Sequence, residues 1–133
     1  MYWYVMYSSA EIRRIVDRFV GNESPQTKCD VCHHGAQIVK QELEDRGLDP
    51  TLHISSITSN GLQNGHIFVT ISGDKVSDID SGIVVVDAYL EQFCTSVMSG
   101  KEKKISFGSA EEIPSIVVVG ENSQWFSHYN IDK

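Results

Sequence analysis

HIFVTI, residues 66–71, alternates in character and is rich in β-formers, so it reads as a strand. Working outward, Asn60-Gly61 and Asn64-Gly65 before it are turn signals, and Thr51–Thr58 reads as the preceding strand. After it, Gly73–Gly82 is polar and acidic, hence a loop. Ile83–Val86 is a short buried strand, and Ile116–Val119 is another, followed by Trp125 and Phe126. Asp87–Met98 reads as a helix with Leu90, Phe93, Cys94 and Val97 on one face, which makes Cys94 a core residue. The N-terminal part is helical. Ser8 or Ser9 caps a helix with Glu11 in its first turn, Ile12, Ile15, Val16 and Phe19 recur at helical spacing, and Gly21 stops it. Residues 21–31 read as a loop. A second helix is expected from about Cys32 to Arg46, stopped by Gly47, with Cys32, Ala36, Val39 and Leu43 on one stripe. Residues 1–7 read as an opening strand or a packed aromatic arm. Two helices followed by strands with one inserted helix predict an α+β fold.

The 133 residues suit one domain and can close a core without metal or disulfide staples. A chain 41% apolar and 22% charged is globular rather than disordered. The net charge of −7 argues against a nucleic-acid partner, because phosphate binding needs a concentrated positive surface. The basic runs Arg13-Arg14 and Lys101–Lys104 are short enough to be a solvated helix face and a charged loop. No stretch is long and apolar enough to span a bilayer, and the aromatic N-terminus lacks the basic region of a signal peptide. Three cysteines cannot form a complete disulfide framework, which fits a reducing compartment. The expected location is therefore cytoplasmic, or inside a host cell after delivery by a specialised secretion machine.

A thiol nucleophile needs a lowered pKa, a base within reach and donors for the oxyanion. Cys32, at the expected helix start, meets the first need through the helix dipole. His66, at the head of its strand, can point across a cleft toward a helix N-terminus. Asp87, emerging at the end of Ile83–Val86, can orient the imidazole. Each has a plainer reading: Cys32 as a buried structural thiol, His66 as a polar residue beside a turn, Asp87 as a helix N-cap. Asp87 can also cap and orient at once. Cys29 is a second possible nucleophile, but it lacks a small residue four positions on and falls in the expected loop. Asp78 and Asp80 are alternative carboxylates in a polar loop. The C-x-x-C of Cys29 and Cys32, followed by His33-His34, is a zinc half-site, yet no second C-x-x-C or H-x₃-H follows. His53, His128 and Trp125 read as structural.

The run Gln26-Thr27-Lys28-Cys29-Asp30-Val31-Cys32 resembles the Q-x-x-C-x-x-C signature of papain-like cysteine peptidases, with a small residue, Ala36, a turn later. The resemblance implies that Cys32 is the nucleophile and that Gln26 donates to the oxyanion hole, joined by the Cys32 N–H. It also makes Cys29 the non-catalytic cysteine, which is usually disulfide-bonded in that family. The pattern GHIFVTI…IVVVDAY resembles the His and Asp strands of transglutaminase-like and papain-like effector enzymes. Three departures exist: His33 stands where the family has an aromatic, His66 lies only 34 positions (66 − 32) after Cys32, and Asp87 stands where papain has Asn. They point toward compact papain-like bacterial toxins, many of which deamidate glutamine in a host protein. The resemblance covers about residues 26–90. It implies a single papain-like catalytic domain over 1–133, a nucleophile helix packed on an antiparallel sheet, a protein substrate, and neither cofactor nor metal. Glutamine deamidase, cysteine peptidase and transglutaminase share this machinery. Two other classes stand beside it: a non-catalytic acidic protein-binding module, and a zinc-binding protein.

Overall fold

Ser8 and Glu11 close a reciprocal capping box. The Ser8 N–H donates to Glu11 Oε1 at 3.0 Å, and the Glu11 N–H donates to Ser8 Oγ at 3.1 Å. This starts helix α1, Ser9–Val20, in the computed structural model, which describes residues 6–20, 23–79, 82–94, 105–109 and 111–131. The side chains of residues 25–27, 29 and 30 also lie outside that description. Ile12, Ile15, Val16 and Val20 form the buried stripe of α1. Phe19, expected on it, is 44% exposed, because the i, i+4 row 12–16–20 takes the inward position. The expected stop at Gly21 falls outside the described residues.

Helix α2 runs Pro25–Asp45, so it begins seven residues before the expected start at Cys32. Pro25 is pre-set for the first helical position, and the Lys28 N–H already reaches Ser24 O at 2.9 Å. At the far end Gly47 has φ +76°. The Leu48 N–H returns to Leu43 O and the Gly47 N–H to Glu44 O, the paired bonds of a glycine-terminated helix. Ala36, Val39 and Leu43 are buried as the stripe predicts.

Strands β1 (Thr51–Ser59), β2 (Leu62–Ser72), β3 (Ile83–Asp87), β4 (Val117–Val119) and β5 (Tyr129–Asn130) form one antiparallel sheet in the order β4-β3-β2-β1-β5. Asn60 and Gly61, at φ +53° and +78°, make the two-residue hairpin turn between β1 and β2. That fixes the register, so Asn64-Gly65 is not a second turn but pairs with Ile57 and Ser56 inside the ladder.

Period-2 alternation gives the sheet two covered faces. Val69, Ile71, Val84, Val86 and Val118 pack with α1 and α2 through Ile12, Val16, Val39 and Leu43. Phe68, Val85, Val117 and Tyr129 pack on the other face against Leu90, Phe93, Cys94, Ile105 and Ile113. The architecture is α+β: two helices on a curled five-stranded antiparallel sheet.

The expected helix Asp87–Met98 is not formed over its described part. Asp87 closes β3, Leu90–Phe93 makes a single 3-10 turn, and Cys94 is already extended. Burial explains the difference. Leu90, Glu91, Gln92 and Phe93 are all buried, so no polar face is left to lie in solvent. Residues 95–98, including Val97, lie outside the described residues. Among the described residues no helix is long and apolar enough to cross a membrane.

Candidate active site

His66 on β2 and Asp87 on β3 project to the same face of the sheet as Phe68 and Val85. His66 Nε2 lies 2.7 Å from Asp87 Oδ2, and both side chains are essentially inaccessible to solvent. The carboxylate has two further donors. The Tyr129 hydroxyl donates to Oδ2 at 2.6 Å, and the Tyr89 N–H donates to Oδ1 at 2.8 Å. The expected double duty of Asp87 is thus met in altered form: Oδ1 closes a tight turn rather than capping a helix, while Oδ2 takes the imidazole.

Burial is the largest influence on the Asp87 carboxyl and pushes its pKa up. The imidazole charge, with the hydrogen bonds from His66, Tyr129 and the Tyr89 backbone, outweighs it and holds the group below the usual carboxylate range. Tyr129, pushed far up by burial and by the Asp87 charge, stays protonated and remains a donor. An ionised carboxylate only accepts, so His66 Nε2 carries the proton directed at Asp87. The ring is then clasped by aromatics: Phe93 meets it edge-on with centroids 5.2 Å apart, and Phe68 stacks at 6.0 Å.

That arrangement turns His66 Nδ1 the other way, where Gln92 Nε2 lies 3.2 Å from it. Cys32, a half-buried cysteine, joins His66 and Gln92 in lining one cavity of about 270 Å³ with Ile54, Ser55, Gly65 and Ile67. The three residues expected from sequence are therefore gathered as a buried His–Asp pair and a thiol sharing its cavity.

Two sequence arguments about Cys32 are corrected. It is the eighth residue of α2, beyond the reach of the helix dipole, which fades within the first turn. Its N–H also lies within the helical i→i−4 ladder, which removes it as an oxyanion donor. Gln26 stands in the first turn of α2, but its side chain, like that of Cys29, is outside the described residues. The close approach to α2 falls at Gly35, one residue before the small Ala36 of the signature. The Tyr89 hydroxyl fills the space that a Cβ at Gly35 would take.

Lys28 was not singled out by sequence. It is 1% exposed, and its ammonium bridges Glu91 Oε1 and Ser115 O, each at 2.8 Å. Glu91 precedes Gln92, so this pair ties α2 to the turn that carries Gln92. Tyr129 and Gln92 were also missed, since nothing local in the sequence links them to Asp87 or His66.

Of the alternative residues, Asp78 is engaged at the start of α1, accepting from the Ser9 N–H at 2.8 Å and the Ser9 hydroxyl at 2.6 Å. Asp80 lies outside the described residues. His33 and His34 are exposed. His53 bonds Thr70 Oγ1 and stacks on Phe68, and His128 bonds Thr58 O. Among the described residues no three His, Cys, Asp or Glu side chains are grouped to hold a metal ion.

Comparison of the chain with protein-family models, curated proteins and solved structures finds no match.

Proposed function

We propose that this chain is a papain-like cysteine enzyme, an amide hydrolase or acyl transferase whose substrate is a glutamine carboxamide of another protein. The observation that carries the reading is the His66–Asp87 pair, buried and clasped, with Gln92 at its second ring nitrogen and Cys32 lining the same cavity as His66 and Gln92. A nucleophile helix against an antiparallel sheet, with base and carboxylate on neighbouring strands, supports the papain-like assignment.

In the proposed reaction His66 Nδ1 takes the thiol proton and Cys32 Sγ attacks the carboxamide carbon. The tetrahedral adduct collapses with loss of ammonia, which receives its proton from His66, leaving a thioester on Cys32. Water, deprotonated by His66, cleaves the thioester to glutamate and restores the thiol. An amine in place of water gives transamidation, and an amine leaving group from a backbone amide gives proteolysis. Asp87 holds the ring and stabilises its charged form. Gln26 is the proposed side-chain donor to the oxyanion. Action as an effector on a host protein follows from the resemblance to compact bacterial toxins.

The test is intact mass after iodoacetamide at graded pH, for the wild type and for Cys32→Ala, Cys29→Ala and His66→Ala. One adduct near neutral pH, lost in Cys32→Ala, kept in Cys29→Ala and slowed in His66→Ala, supports the assignment. Labelling of Cys32 only near pH ~8.5 or above, as for an ordinary thiol, removes it. Ammonia release from a glutamine-containing protein then identifies the deamidase branch.

A further inference from the structure

We propose that Gln92 decides where the proton of the neutral His66 ring sits: its side-chain amide donates to Nδ1, which leaves the proton on Nε2. The proposal concerns proton placement. Its consequence for Cys32 rests on the catalytic reading above.

Asp87 fixes half of the question. Its ionised Oδ2 accepts at 2.7 Å and keeps a proton on Nε2 in every protonation state of the ring. The remaining variable is Nδ1. Gln92 Nε2 is a donor group, and at 3.2 Å from Nδ1 it is satisfied only by a lone pair. A proton on Nδ1 would set one donor against another. The amide must then rotate to present its oxygen, or leave.

Gln92 is held to this task. It is 4% exposed, and its N–H bonds Tyr89 O at 3.2 Å. The next residue, Phe93, is fully buried, and the preceding one, Glu91, is bound to Lys28. Of the groups around the ring, the Asp87 carboxylate from β3, with Tyr129 behind it on β5, favours a charged imidazole, and the Gln92 donor at Nδ1 opposes it. Phe93 on the 3-10 turn and Phe68 on β2 are uncharged, His53 stacks on Phe68, and Cys32 of α2 lines the same cavity. The nearby Lys28–Glu91 pair is internally balanced.

Transfer of the Cys32 proton to His66 places it on Nδ1, the atom that the amide donor opposes. Gln92 therefore opposes this transfer, so Cys32 is expected to react more slowly in wild type than in a chain without the donor. A substrate that enters the cavity and turns or displaces the amide releases the base. Gln92 is a positioning residue whose effect is on proton placement rather than bond making.

The experiment uses the full chain with ¹⁵N-labelled histidine and reads the two His66 ring nitrogens across a pH series. Wild type is expected to show a protonated Nε2 and a bare Nδ1 at pH 7. Gln92→Leu keeps the volume without the donor, and Gln92→Glu offers only an acceptor. Both are expected to hold a proton on Nδ1 to higher pH than wild type, by about one pH unit or more for Glu, whose charge lies beside the ring. Alkylation of Cys32 at pH 6 is expected to rise roughly threefold to tenfold in Gln92→Leu. Should the Leu variant fail to fold, the Glu variant alone decides. Ring nitrogens that titrate as in wild type in the folded variants overturn the proposal. Ring shifts that move as expected, with a Cys32 that alkylates as an ordinary thiol in every variant, uphold the proton placement and remove the catalytic reading instead.

Discussion

Tyr129 and His66 share one oxygen. The Tyr129 hydroxyl donates to Asp87 Oδ2 at 2.6 Å, and His66 Nε2 reaches the same atom at 2.7 Å. The carboxylate is thus oriented from two sides, and the His66 ring inherits its direction from a tyrosine on β5.

Tyr129→Phe keeps the ring and removes that donor. Loss of a hydrogen bond to a buried charge costs about 1.5–3 kcal/mol, measurable by urea denaturation at pH 7. The variant also shifts the acid limb. Asp87 has a depressed pKa, so its contribution to stability is present above the ordinary carboxylate pKa and is lost as pH falls through the lower folded value. With one donor gone the folded value rises toward the ordinary one, so the acid-linked loss still begins near the ordinary carboxylate pKa but is smaller and complete at higher pH in Tyr129→Phe than in wild type. Coincident acid limbs would show that the hydroxyl does not hold the carboxylate.

Asp87→Asn preserves shape but reverses polarity. A carboxamide that presents its NH₂ to His66 Nε2 forces the proton onto Nδ1, the wrong tautomer for accepting a thiol proton. The rate of Cys32 alkylation at pH 7 is expected to fall at least about tenfold, while the folded spectrum is retained. An unchanged rate would separate Asp87 from thiol activation.

Gly35→Ala is expected to destabilise despite the better helix propensity of alanine. Its Cβ overlaps the Tyr89 hydroxyl, and overpacking of this kind costs about 1–3 kcal/mol. The Tyr89 hydroxyl is buried without a hydrogen-bond partner among the described residues. Tyr89→Phe alone is therefore expected to be neutral or stabilising. Combining the two relieves part of the clash, because the ring carbon behind the hydroxyl still has to retreat. A double-mutant cycle by thermal melting measures this coupling, and strict additivity would refute the contact.

Lys28→Met leaves Glu91 buried and uncompensated, at an expected cost of about 3–5 kcal/mol. Lys28→Met with Glu91→Leu removes both charges and is expected to recover much of that loss. Denaturant midpoints of the two variants compare directly. A double variant as unstable as the single one would mean that the pair contributes more than charge compensation.

The legible parts were those set by local chemistry. The alternation of HIFVTI and the buried run IVVV ending at Asp87 mark two neighbouring strands, and their antiparallel register puts His66 and Asp87 on one face. The start of α2 was also written locally, in Ser24-Pro25, but the loop-like composition of residues 21–31 obscured it. The helix expected over 87–98 failed because helical spacing of Leu90, Phe93 and Cys94 does not reveal that Glu91 and Gln92 are buried too. Lys28 with Glu91, Gln92 with His66, and Tyr129 with Asp87 are paired by the fold across 63, 26 and 42 residues, and no local rule connects such partners.

The position of Tyr129 has a consequence for biosynthesis. The thiol, the imidazole and the carboxylate all leave the ribosome well before the hydroxyl that orients them, which follows Asp87 by 42 residues. A nascent chain can bring β2 and β3 together early, yet the carboxylate stays incompletely held until β5 docks beside β1. A chain cut short before residue 129 would carry Cys32, His66 and Asp87 in an unfinished cradle.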